Sequence, residues 1–128
     1  KVTRIACVQD MGLVVDMKTA VTQIYGGIIS CVNYALYEGR ILDRNTAQMV
    51  NPDMEWYLIG GMSDIPKIDV RVMNQPERGV IGIGEPPAVS TAAAIANAVR
   101  NATGVTIRSL PITPEKLLSA LERAGGTN

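Results

Sequence analysis

Residues 17–39, MKTAVTQIYGGIISCVNYALYEG, decide the fold. Ala20, Val21, Ile24, Ile28, Cys31, Val32, Ala35 and Leu36 recur at spacings of three and four, which gathers them on one face of a helix. Asp16 is placed to cap its first free amides, and Gly39 to end it in a left-handed turn. So continuous an apolar stripe marks a core helix, against which the flanking elements must pack. Gly26 and Gly27 interrupt it at mid-length, where each glycine costs about 1 kcal/mol relative to alanine. Another backbone or a ligand lying close against that face would offset this cost, and tight helix packing is the commoner of the two.

Upstream, residues 2–9 (VTRIACVQ) alternate and predict a strand, with DMG as the turn into the helix. The opening residues KVTRIACVQD carry no secretory pattern, and a chain that opens inside a strand reads as a piece or a split subunit. Downstream, RILD (40–43) is a short strand candidate, and residues 44–67 have no period and many Pro, Gly, Asn and Asp residues. Irregular segments of that length are functional or covered by a partner. IDVRVM (68–73) predicts a strand, NQPERG a turn, and VIGIG (80–84) a short strand or extended loop. A helix follows Pro86–Pro87 and stops at Gly104, with Ala92, Ile95, Ala96 and Val99 on its apolar face. VTIRSL (105–110) reads as a strand and TPEKLLSALERA (113–124) as a helix with Thr113 as cap, Pro114 at its first position and Glu115 in its first turn; GGTN (125–128) reads as a frayed tail. Strands and helices therefore mix in one α/β chain without a visible linker or repeat.

The chain has 128 residues, enough for one domain with a real core. Apolar residues make up 47% and charged residues 19%, a low charge share that suggests surface covered by another polypeptide, the alternative being a compact and rather apolar monomer. Formal net charge is zero and the arginines are scattered, which argues against nucleic acid as the main partner. No apolar run is long enough to cross a membrane. With no histidine and no CxxC pair, Cys7 and Cys31 read as buried free thiols rather than ligands, in keeping with a reducing compartment.

The chemistry concentrates at residues 79–87, GVIGIGEPP. Gly79, Gly82 and Gly84 let the backbone turn or lie against a large group. Pro86 stiffens the exit and biases Glu85 toward extended backbone, which would hold its carboxylate at a helix entrance. There Glu85 either serves as a general base or simply balances the helix dipole. A phosphate loop fits less well, because the order is G-x-x-G-x-G and the prolines remove amides. Without histidine no Ser-His-Asp triad is available, and no spacing selects a second acid as a partner for Glu85.

GIGEPPAVSTAAAIANAVRNATG (82–104) followed by RSLPITPEKLLSAL (108–121) resembles the C-terminal end of the large subunit of the molybdenum hydroxylases, the family of xanthine dehydrogenase, aldehyde oxidoreductase and carbon monoxide dehydrogenase. DMGLVVD (10–16) is similar to that family's D-x-G-x-V-x-[ND] turn, the stretch from Gln23 to its Q-x-x-G-G helix, and YLIGGMSDIPKIDV (57–70) to its tyrosine-to-D-x-P segment. The likeness runs over nearly the whole chain. Departures are Met17 and Asp16 for the usual Pro and Asn, Thr22 before Gln23 where Gly is frequent, and Ser30–Cys31 for a Gln-Gly pair.

The resemblance implies that residues 1–128 are the C-terminal segment of a molybdopterin-binding domain and not an autonomous catalytic unit. It implies an oxidoreductase that hydroxylates an aldehyde, purine or N-heterocycle with oxygen from water. Glu85 would be the base beside molybdenum, with no direct metal ligand in the chain, and Gln23 and Gly84 would contact the pterin. The implied cofactor is molybdenum-molybdopterin, with or without a further nucleotide, shared with other chains; iron–sulfur clusters and FAD are expected on partners. The implied partners are the remainder of the subunit, iron–sulfur and flavin subunits and a small-molecule substrate. The compartment is cytoplasmic, with a periplasmic complex as the alternative. The other functional class is a structural or assembly domain that keeps the fold without the chemistry.

Overall fold

The computed structural model describes residues 1–125. Strand β1 (Arg4–Asp10) leads through a short loop into helix α1 (Met17–Leu36), and strand β2 (Lys67–Met73) returns beside β1. The two strands pair in parallel, with Arg4 opposite Lys67 and Asp10 opposite Met73. Parallel neighbours need a crossover, and α1 with the segment after it supplies one. Ile5, Cys7, Ile68, Val70 and Val72 turn toward the core. The opposite face holds Val8, 64% exposed, and an ion pair from Arg4 to Asp69 at 2.5 Å.

Helix α1 is the centre of the molecule. Asp16 caps it, its Oδ1 accepting from the amide of Thr19 at 2.6 Å. Its stripe of Ile24, Ile28, Val32 and Ala35 is fully buried, and each of the three branched side chains, Ile24, Ile28 and Val32, contributes about 1.5–3 kcal/mol of transfer free energy. Against this stripe pack α2 (Pro86–Val89), α3 (Thr91–Thr103) and β2. Ala92 and Ile95 of α3 are buried, with Ala96 and Val99 partly so. The small alanine lets the helices approach closely. Helix α4 (Pro114–Gly125) buries none of its residues, and Leu118 on it is 59% exposed. The Lys116 amide reaches Thr113 Oγ1 at 3.4 Å, which places the cap on Thr113.

Several expectations are corrected by the structure. Helix α1 ends at Leu36 rather than Gly39, because the Glu38 amide leaves the ladder and shares the Asn33 carbonyl, at 2.9 Å, with the Tyr37 amide at 2.8 Å. The helix after Pro86–Pro87 is broken at Ser90 into α2 and α3, and it stops as expected at Gly104, φ 78°. Residues 105–110 form no strand, because neither β1 nor β2 pairs with them. They instead carry the chain to Ile112, whose amide bonds the Ala35 carbonyl at 2.7 Å and whose side chain enters the core. RILD contributes only a single bridge, Leu42 to Met49, and VIGIG only one, Val80 to Gly12. Cys31 is a buried free thiol, but Cys7 is only half-buried because it lies on a sheet face that α1 covers incompletely; that partial burial pushes its thiol up. Of the tail expected at 125–128, Gly125 ends α4 and the rest lies outside the described residues.

The irregular stretch between α1 and β2 is fastened by side chains rather than by ladders. Buried Asn33 accepts from the Gly60 amide at 2.6 Å and donates to the Ile29 carbonyl at 3.0 Å. Asn51, also buried, accepts from Ile41 N and donates to Gly39 O. Asp43 and Asp53 each close a local turn through their own carboxylates. Local side-chain bonds of this kind replace regular secondary structure where glycine and proline forbid it.

Candidate functional site

Two loops are zipped together at one end of the sheet. After β1, Asp10 Oδ1 accepts from the Gly12 amide at 2.9 Å and its other oxygen pairs with Arg78. Gly12 adopts φ 64°, a left-handed conformation. The Leu13 amide then donates to Gly79 O at 2.8 Å, and Ile81 N to Met11 O at 3.1 Å. This pairing draws the glycine loop, residues 79–84, alongside residues 11–13. It also explains why the turn residue is glycine: the two backbones are in contact there.

The zipped loops and the first turns of α1 enclose an open groove of about 520 Å3. Leu13, Val15, Thr19, Gln23, Val80 and Gly84 are among its walls. Val15 and Val80 are 77% and 68% exposed. At its mouth Asp16 holds its carboxyl below the usual carboxylate range, chiefly through the Thr19 amide.

The three expected site residues fall into one neighbourhood. Gln23 Nε2 donates to the Gly84 carbonyl at 2.8 Å, across 61 residues of sequence. Glu85 follows Gly84 directly and is the N-cap position of α2, with an exposed side chain. Its carboxylate caps no amide and belongs to none of the ion pairs among the described residues. Whatever Glu85 does for the dipole of α2, a single turn, it does without a capping hydrogen bond.

The backbone of Glu85 corrects one expectation. It sits at φ −108°, ψ −24°, in the helical region rather than extended. The bias that Pro86 imposes is overridden because Ala88 N donates to Glu85 O at 2.8 Å, closing a turn on it. The glycine pair of α1 also divides. A Cβ on Gly27 would lie 3.1 Å from Pro87 Cβ, so Gly27 is there for helix packing, whereas a Cβ on Gly26 would meet nothing within 4 Å. Sequence reasoning missed Cys31 as a contact of this site: its Sγ lies 3.0 Å from Ala88 O. Its place two helical turns after Gln23 was the available signal.

The family described as molybdopterin cofactor-binding domain matches residues 1–66. The chain belongs to that family. It is 36% identical to a putative xanthine dehydrogenase molybdenum-binding subunit of Escherichia coli (strain K12), covering 97% of this chain and 17% of that protein. It is also 36% identical to the aldehyde oxidoreductase molybdenum-binding subunit of the same organism, over 94% of this chain and 17% of that one. The crystal structure of quinoline 2-oxidoreductase from Pseudomonas putida 86 superposes with a TM-score of 0.86 at 31% identity, covering 94% of this chain and 16% of that one. The chain thus spans about a sixth of the length of these relatives.

The residues present suit a pterin. Gly82 and Gly84 leave open space where a side chain would stand, so a flat group can lie against the backbone. Gln23 has one amide hydrogen on Gly84 and an exposed carboxamide otherwise, a donor and acceptor pair for a heteroaromatic edge. Among the described residues no three His, Cys, Asp or Glu side chains gather as metal ligands, and no helix is long and apolar enough to cross a membrane.

Proposed function

We propose that this chain is the C-terminal segment of the molybdenum-binding subunit of a molybdenum hydroxylase, and that Glu85 is its general base. In this reading the substrate is an aldehyde, purine or N-heterocycle, and the oxygen inserted comes from water. Molybdenum held by the pterin supplies the two-electron redox chemistry when bound. Gln23 and the Gly82–Gly84 backbone hold the pterin edge. Glu85 accepts the proton of the water-derived oxygen, and the unpaired, exposed state of its carboxylate leaves it available to do so.

The observation that supports this reading is the bond from Gln23 to Gly84, which ties the side chain assigned to the pterin to the residue directly before Glu85. The rest of the subunit covers the exposed apolar side chains, such as Val15, Val80 and Val89. Iron–sulfur and flavin carriers on partner chains or domains take the electrons away.

The test is Glu85→Gln in the assembled, molybdenum-loaded protein, assayed against a panel of aldehydes, purines and N-heterocycles. Removing a general base lowers kcat by roughly 100- to 10,000-fold, with molybdenum content unchanged. Turnover near that of the parent enzyme, at equal loading, overturns the assignment.

A further inference from the structure

One face of α1 holds the backbone on both sides of Glu85. Gln23, Gly27 and Cys31 stand four residues apart and therefore share a face of the helix. Gln23 bonds the carbonyl of Gly84, the residue before Glu85, at 2.8 Å. Gly27 lies under the residues after it: a Cβ there would be 3.1 Å from Pro87 Cβ and 3.4 Å from Ala88 N. Cys31, with no exposed surface, donates its thiol hydrogen to the Ala88 carbonyl at 3.0 Å. Ala88 N in turn bonds Glu85 O. The backbone of Glu85 is thus anchored ahead of and behind the residue, while its carboxylate is left without a bond.

We propose that this seam is a positioning device for Glu85, and that Cys31 is its anchor on the far side of the turn. The inference rests on the reading of Glu85 as the base. A base works only within about 2.6–3.2 Å of the proton it takes, and a misplacement of about 1 Å costs on the order of 100-fold. A carboxylate with no side-chain partner depends wholly on its backbone for placement. Pro86 and Pro87 remove two amides that would otherwise have helped to hold the turn. The thiol and the glycine contact take over that task. Because Cys31 is fully buried and bonded, its role is structural support of the turn and not thiol chemistry.

The test uses the assembled, cofactor-loaded protein with Cys31→Ala, which deletes the donor, and Cys31→Ser, which keeps one. Hydrogen exchange of the peptide covering residues 84–92 reads the turn directly. In Cys31→Ala its exchange should rise, and kcat fall, by roughly three- to tenfold, the range of one modest hydrogen bond. KM and molybdenum content should hold, and Cys31→Ser should restore both readouts. Unchanged exchange in Cys31→Ala overturns the proposal, as does faster exchange with unchanged kcat. Gly27→Ala, which presses on Pro87 from the same face, provides the same readouts if Cys31→Ala does not assemble. Failure of the base assignment is seen separately, as retained turnover in Glu85→Gln whatever the exchange rates.

Discussion

Gly12 faces the carbonyl oxygen of Gly79 so closely that a Cβ on Gly12 would lie 2.0 Å from it. No side chain fits, and the φ of 64° at Gly12 disfavours one independently. The contact is what joins the loop after β1 to the glycine loop, through Leu13 N to Gly79 O and Ile81 N to Met11 O. The groove beside Gln23 therefore depends on a residue that does not itself line it.

Gly12→Ala should force these loops apart. The strained backbone alone costs about 1–3 kcal/mol, and the clash with Gly79 O adds to it. The expected outcome is a lower urea midpoint together with faster hydrogen exchange at Leu13 and Ile81. A midpoint equal to that of the parent protein would show that the two loops are not held as described.

Adjacent glycines in α1 should respond with opposite sign. Gly26 has open space where its Cβ would stand, so Gly26→Ala gains helix propensity of about 0.5–1 kcal/mol. Gly27→Ala meets fully buried Pro87 at 3.1 Å, and Pro87 has no free direction in which to yield. Chemical denaturation should place Gly26→Ala above the parent protein and Gly27→Ala below it. The reverse order would mean that α1 and α2 are less tightly packed than the structure has them.

What the sequence made legible follows from periodicity and local caps. The stripe on α1, the Asp16 and Thr113 caps and the left-handed Gly104 each depend on residues within a turn or two of one another. The neighbourhood of Glu85 was legible from composition, since glycines and prolines announce unusual backbone. Its geometry was not, because the Pro86 bias and the turn closed by Ala88 compete, and only the folded chain decides between them. The Gln23–Gly84 bond spans 61 residues and leaves no periodic trace. Residues 105–110 alternate as a strand should, yet a strand exists only with a partner, and none of the described residues pairs with them.

Asn33 should be the residue on which the irregular segment depends most. It is 6% exposed, and its Oδ1 is the acceptor for the Gly60 amide at 2.6 Å. Asn33→Leu fills the space but leaves that half-buried amide without its partner, a loss of about 0.5–1.5 kcal/mol, the net worth of one hydrogen bond. A Cβ on Gly60 would lie 2.9 Å from the Tyr37 ring, so the segment cannot shift inward to find another acceptor. Limited proteolysis should cut Asn33→Leu between residues 53 and 62 faster than the parent protein, while Asn33→Asp, which keeps an acceptor, should be cut more slowly than Asn33→Leu. Equal cutting of all three would remove Asn33 from this role.

Asp16 gives the start of α1 a pH dependence whose sign is fixed by the cap. The Thr19 amide bonds its carboxylate at 2.6 Å and holds its pKa below the usual carboxylate value. A lowered folded-state pKa means that the stabilisation is complete above the unfolded value and is lost as pH falls through the folded one. The contribution of this residue should therefore be flat from neutral pH down to about pH 5 and decline below about pH 4. Asp16→Asn keeps a capping oxygen that does not titrate. Urea midpoints compared across pH 2.5–7 should show the parent protein losing its advantage over Asp16→Asn only at the acid end. A difference between the two that stays constant through that range would mean that the carboxylate is not bonded to the helix amide in the ionised form.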